Sequence, residues 1–166
     1  LSYSEAIAEA YASAPEDIVI IDTLEFRHPT FKDPQTGAVI AIRVVNDHNP
    51  LTATLEATAP ANASQAVVFQ PVRFGFRRPN ESDSGSTPEI EITVSNVSRV
   101  LIPYLDGAKE SREPIHVTYR PYLSNDKTGP HMNPPLTLTL RSVSADMNNV
   151  TARAGYGDLI NRRFPK

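Results

Sequence analysis

The chain of 166 residues contains no cysteine and no tryptophan, and neither sign of charge dominates it. The first absence excludes a disulfide framework, a thiolate zinc site and a cysteine-ligated iron–sulfur cluster, while leaving the redox compartment open. The second, together with a total of only six Tyr, leaves little ring surface for stacking against sugars. With 16 basic and 19 acidic residues the net charge is −3, too balanced for a nucleic-acid surface and too weak for an acidic solvating tail. No apolar run approaches the roughly 18 residues of a bilayer span, and residues 1–15 lack the basic flank of a signal peptide. Because the chain opens on Leu1 rather than Met, a processed or trimmed end with an unseen leader is allowed for. These absences predict a soluble protein whose partners are neither nucleic acid nor, once assembled, membrane.

What the chain does have is β patterning. In Pro88-Glu-Ile-Glu-Ile-Thr-Val-Ser-Asn-Val-Ser-Arg99, Ile90, Ile92 and Val94 share one parity and Glu89, Glu91 and Thr93 the other, which predicts a half-buried strand. The segment then turns at Asn96, a candidate helix cap, into an apolar run ending at Leu105. Val72, Phe74 and Phe76 alternate with Arg73, Gly75 and Arg77, and Ile115, Val117 and Tyr119 with His116, Thr118 and Arg120. Leu136, Leu138 and Leu140, then Val150, Ala152 and Ala154, predict a hairpin over 136–156 that turns at Met147-Asn-Asn149 and runs into a last helical turn at Asp158–Asn161. Ala38–Val45 is nearly continuous apolar sequence, as in a strand covered on both faces. In residues 18–27, Ile18, Ile20, Leu24 and Phe26 share a face with Asp22 while Val19 and Ile21 fall on the other, implying a bulge or a second buried face. Residues 2–14 read as a short helix with a Ser2/Glu5 capping box, ended by Pro15. The 15 prolines are mostly punctuation between strands. The expected architecture is mainly β: residues 1–15 form an N-terminal helix or arm, and residues 16–166 a single domain. That domain is an antiparallel β-sandwich or partly open barrel with one or two short peripheral helices.

Catalytic chemistry finds little purchase. His28, His48, His116 and His131 show no metal-ligand spacing, so no metal or cofactor is expected. Asp47-His48 would supply an oriented base, but no nucleophile stands in a Gly-rich elbow, and Asp47 suits an ordinary Asx turn. Glu89 and Glu91, roughly 7 Å apart by strand rise, fall within a glycosidase's range, yet outward Glu on a sheet is ordinarily solvated. Ser82-Asp-Ser-Gly-Ser86 lacks the Lys of a phosphate loop. A non-enzymatic protein is expected, with no catalytic residue assigned.

The charge map is more informative. Residues 1–26 carry Glu5, Glu9, Glu16, Asp17, Asp22 and Glu25 with no Lys or Arg, whereas residues 151–166 carry Arg153, Arg162, Arg163 and Lys166 against Asp158. Such ends compensate each other within one chain, or dock head to tail between copies and close a ring. On the second reading the subunit-interface candidates are Glu5, Glu9 and Asp17 against Arg153, Arg162 and Arg163. Phe164 is a candidate anchor, and Val19 and Ile21 are apolar positions for a neighbour to cover.

Five segments in order carry a resemblance: Thr23-Leu-Glu-Phe-Arg-His-Pro29, Ile42-Arg-Val-Val-Asn-Asp47, Val72-Arg-Phe-Gly-Phe76, the Pro88–Arg99 segment, and Leu140-Arg-Ser-Val-Ser144 with Tyr156-Gly-Asp-Leu-Ile-Asn-Arg-Arg-Phe-Pro165. The set resembles the domain-of-unknown-function family eighteen thirty-three of tailed bacteriophages, over roughly residues 18 to 165. The resemblance implies a virion protein, assembled in the host bacterial cytoplasm, of the tail tip or baseplate of a long-tailed phage, with a role similar to the lambda-type minor tail proteins. It implies a ring linking tail tube to hub, beside the tape-measure protein, hexameric in preference to trimeric by analogy with tail symmetry. It carries no catalytic motif. Residues 124–135 depart from the pattern as a longer Pro-rich loop, and residues 57–66 are Ala-rich where a tight Gly turn is usual. The alternative is a module binding a host-surface glycan or protein through loops 79–87 and 124–135; a cell-wall hydrolase using Glu89 is a third.

Overall fold

The computed structural model describes residues 2–3, 5–13, 17–77, 89–95 and 101–155. Period-two alternation becomes pairing throughout. In chain order the elements are β1 (Ser2–Tyr3), α1 (Glu5–Ser13), β2 (Ile20–Arg27), β3 (Ile42–Val45), β4 (Leu51–Thr54), β5 (Ala66–Pro71) and β6 (Arg73–Arg77). They continue with β7 (Glu89–Ser95), α2 (Ile102–Ala108), β8 (His116–Leu123), β9 (Met132–Asn133), β10 (Leu136–Ala145) and β11 (Asn149–Gly155). One nine-stranded sheet runs β4-β5-β3-β2-β8-β10-β11-β7-β6, and β1 pairs with β9 apart from it. Every pairing is antiparallel except β3 with β5. The protein is mainly β, as the alternation implies.

The sheet curls because one stretch of chain supplies both its terminal strand β6 and the strand β5 next to its other end. β5 lies beside β3, β6 lies beside β7 at the far end, and only Val72 separates them. The Val72 N–H donates to the Val45 carbonyl at 2.9 Å, so the run leaves β3 and joins β7 without a loop. The result is a partly open barrel. Leu24 and Phe26 of β2, Val44 of β3, Ile92 and Val94 of β7 and Val117 of β8 are buried together inside it. Helix α2 carries Pro103 in its first turn, where a missing N–H costs nothing, and buries Leu105 and Ala108, while Tyr104 meets Phe31 edge to face at 5.7 Å.

A second apolar cluster lies outside this core. Val45, Leu51, Ala53, Val67, Phe69 and Tyr122 are buried together, with Ile21 packed against them. The β4–β5 hairpin thus covers the outer face of β2, β3 and β8. This resolves the doubled parity of residues 18–27: β2 pairs with β8 in unbroken register from Ile20 to Arg27, so there is no bulge, and a second buried face accounts for the pattern. A bulge does occur at Arg141, between Leu140 and Ser142.

Other expectations need correction. Ser2 does not cap the first helix, because it pairs with Asn133 and the helix starts at Glu5; the strand gives its backbone partners. The second helix is capped at Leu101 with no side-chain bond; Asn96 lies outside the described residues, as do Asp158–Asn161 and the loop 79–87. Val72 is not part of a single strand with Phe76, since Pro71 ends β5 and the strand resumes at Arg73. The Ala-rich stretch at 57–66 turns without glycine by placing Asn62 (φ 57) and Ser64 (φ 58) in the left-handed region.

A buried charge cluster, its cleft and a projecting hairpin

The second parity of β2 and β8, which Val19 and Ile21 mark as a candidate buried face in residues 18–27, carries polar side chains that are buried. Thr23, Glu25, Thr118 and Arg120 all lie beneath the surface. Register sets Glu25 between Arg43 of β3 and Thr118 of β8. Arg43 Nε donates to Glu25 Oε2 at 2.7 Å, while Arg120 Nη1 at 3.2 Å and Arg27 Nε at 3.3 Å approach Oε1 as ion pairs. Those last two contacts fall outside hydrogen-bond geometry, leaving Glu25 Oε1, Arg27 Nε and Arg120 Nη1 in Coulombic contact alone. Arg120 turns its other edge to Glu56, in the loop after β4: Nε donates to Oε2 at 2.7 Å and Nη2 to Oε1 at 2.8 Å. This is the parallel fork that suits guanidinium and carboxylate. Arg43 Nη2 donates to Asn62 Oδ1 at 2.9 Å, tying the Ala-rich loop down over the cluster.

Three guanidinium groups therefore face two carboxylates, Glu25 buried and Glu56 partly exposed. Burial pushes the Glu56 carboxyl up, but the Arg120 donors and the positive field of Arg120 and Arg27 outweigh it, so it stays below its usual value. Burial likewise disfavours the Arg120 charge, and its bonds to Glu56 and the field of Glu25 more than restore it. Arg27 is held below its ordinary value by burial, with Arg120 and Arg43 adding to the effect against Glu25 and Glu56.

Beside the cluster opens a cleft of about 740 Å³, to which Arg27, Arg43, His28, His116, Asn62 and Glu113 contribute polar groups. Its remaining walls are apolar, from Pro29, Val39–Ala41, Pro60, Ala61 and Pro114. The Thr30 N–H donates to His28 Nδ1 at 3.1 Å, so His28 Nε2 carries the proton and donates to the Glu113 carbonyl at 2.9 Å. Burial and the adjacent Arg27 hold His116 below its ordinary value, against the opposing pull of Glu113.

The interface candidates are dispersed. Glu5, Glu9 and Asp17 are exposed, and Val19 is 60% exposed. Ile21 is covered by its own chain, against the second cluster. Arg153 stands opposite Glu91, and Arg77 opposite the same Glu91 from the other side. The outward Glu face thus has cationic cross-strand neighbours within the molecule. Glu89 is likewise engaged, 3.7 Å from Arg141. Arg162, Arg163 and Phe164 lie outside the described residues. Of the Asp47-His48 pair, the Asp47 carboxylate accepts from the His48 backbone N–H, while His48 Nε2 lies 3.2 Å from Arg73 Nη2; Asp47 serves the turn. His131 approaches Asp126 at 3.3 Å in an ordered loop. Among the described residues no three His, Asp or Glu converge as metal ligands.

One arm of the fold projects. β10 pairs with β8 from Leu136 to Thr139, and the Leu140 N–H still reaches the Ile115 carbonyl. Beyond that, Ser142–Ala145 pair with β11 alone among the described residues. Residues 141–148 are all exposed, including Val143 at 39% and Met147 at 96%. The terminal strand β4, by contrast, is tied to the 124–131 loop through the Thr54 N–H and the Lys127 carbonyl.

Neither the charge cluster nor the projecting edge was foreseen from the sequence. The one signal for the cluster was Ile21, whose parity required cover and so implied burial of Glu25 and Arg27 as well. A family model described as Domain of unknown function (DUF1833) matches residues 6–166. No curated protein matches the chain.

Proposed function

From a chain that belongs to the DUF1833 family, we propose a structural, non-catalytic protein of the tail tip or baseplate of a long-tailed phage. In this reading it is a subunit of a ring that connects the tail tube to the hub, with self, tube, tape-measure protein and hub as its contacts, and it resides in the virion. The phage setting comes from the ordered segments described above. The mechanism comes from one observation: the projecting half of β10 offers an edge with no partner strand among the described residues. An exposed edge presents N–H and C=O groups that a neighbour or an extended arm can pair, giving many backbone bonds with few side-chain requirements. Val143 and Met147, exposed at its tip, add apolar area for the same contact.

Glu89 and Glu91, the carboxylates with which a hydrolase would act, have cationic neighbours on their own sheet, which fits a structural role for that face. Sedimentation of the purified protein over a range of concentrations tests the reading. Self-association is expected, weakened at least tenfold by Val143→Lys with Met147→Lys, both exposed positions whose replacement leaves the core intact. A protein that stays monomeric at high concentration and binds no neighbouring tail protein would sink the proposal.

A further inference from the structure

The cleft beside the charge cluster combines two properties that rarely coincide in a closed structural contact. Arg27 is mostly buried, yet among the described residues its one polar contact is the 3.3 Å approach of Nε to Glu25 Oε1, an oxygen it shares with Arg120. Its two terminal NH₂ groups meet no described acceptor, whereas the Arg43 and Arg120 forks are bonded to Asn62, Glu25 and Glu56. Arg27 is thus the guanidinium left over when three cations meet the two carboxylates of the cluster, Glu25 and Glu56. The third carboxylate nearby, Glu113, is exposed at the rim, where solvent screens it. Around this uncompensated charge the walls are proline, alanine and aliphatic, and Val39 stands 64% exposed at the mouth.

We propose that this cleft is a receptor for one acidic side chain, Asp or Glu, carried on an apolar segment of a partner protein. A carboxylate takes two parallel N–H bonds from a guanidinium edge, which matches the unbonded edge of Arg27. Charge matching sets the number of anions at one. The volume of about 740 Å³ exceeds what a lone carboxylate fills and falls in the range of sites that enclose larger ligands, so the residues flanking the acid occupy the apolar walls. His116 lines the same cleft and lies close enough to Arg27 to feel its field, so an anion that offsets that field is sensed at its ring. The inference concerns a surface separate from the projecting edge and stands independently of any ring.

The test is a nuclear magnetic resonance titration of the full-length protein with acetyl-Ala-Leu-Glu-Leu-Ala-amide, following the Arg Nε–H and His ring signals. Saturable shifts of Arg27 and His116 are expected. The matched Gln peptide should bind at least tenfold more weakly, and sodium acetate should bind more weakly than the Glu peptide. Arg27→Gln should abolish the response. Should that variant unfold, Val39→Glu, an exposed change that adds a like charge at the mouth, should weaken the peptide at least threefold. No saturable shift at millimolar Glu peptide, or equal binding of the Gln peptide, would overturn the site. Acetate binding as tightly as the peptide would overturn its assignment to a protein segment.

Discussion

Glu25 has no solvent exposure and touches three guanidinium groups, two of them without proper hydrogen bonds. Removing one member of such a group strands the rest, which costs more than the intact group contributes. Glu56→Gln, which breaks the fork on Arg120, should lower stability by about 1.5–3 kcal/mol, the range for hydrogen bonds to charged groups, read by urea unfolding at pH 7. The pH dependence follows from the same residue. Glu56 sits below its ordinary value of 4.5 when folded. As pH falls past that value the unfolded chain takes up the proton first, so this contribution is present above pH 4.5 and disappears as pH drops through the folded value. His116 acts in an earlier window. Its folded value lies below 6.5, so protonation of the unfolded chain erodes stability as pH falls from there. Glu56→Gln should flatten the lower slope and His116→Gln the upper one. None of this was visible in the sequence, because which charge faces which depends on register between strands far apart in the chain. Only the apolar parity of Ile21 hinted that this face was covered.

Elements with long, clean alternation, β7, β10 and β11, were legible because burial on one face selects parity, and β8 because its second face, though covered, is polar. β4 and β5 went unread, although Leu51, Ala53 and Leu55, then Val67 and Phe69, alternate just as well. They are short, and their loop turns without the glycine that usually announces a hairpin. Asn62 and Ser64 take the left-handed conformation in its place, and Asn62 is further held by Arg43. This hairpin has a packing role that its sequence does not advertise. Phe69 is fully buried and meets Tyr122 at 6.0 Å, so Phe69→Ala should cost about 3–5 kcal/mol by loss of burial and a residual cavity. Thermal unfolding followed by circular dichroism checks it. Because the hairpin also carries Glu56 and the 62–65 turn, the same variant should loosen the lid of the charge cluster, and faster hydrogen exchange at the Asn62–Gln65 amides would register that.

At the scale of the whole molecule, the opposed charge of the chain ends remains the clearest assembly signal from the sequence, and the fold redistributes it. Arg153 faces Glu91 within its own sheet, so that in the proposed head-to-tail docking Arg162, Arg163 and Lys166 are the remaining cations of the basic end. Arg162→Glu with Arg163→Glu should weaken self-association in a salt-sensitive manner; an unchanged sedimentation profile would restrict the contact to the β10 edge. The pairing of β2 with β8 has a further consequence, in time rather than in space. Arg27 meets His116 and Ile20 meets Leu123, so the barrel closes across most of the chain, a topology that folds slowly. During synthesis β2, β3 and the β4–β5 hairpin leave the ribosome well before β8 exists. Until it arrives, Glu25 lacks Arg120 and Phe69 lacks Tyr122. The emergence of residues 116–123 is therefore the step at which the charge cluster and the Phe69–Tyr122 contact can first form.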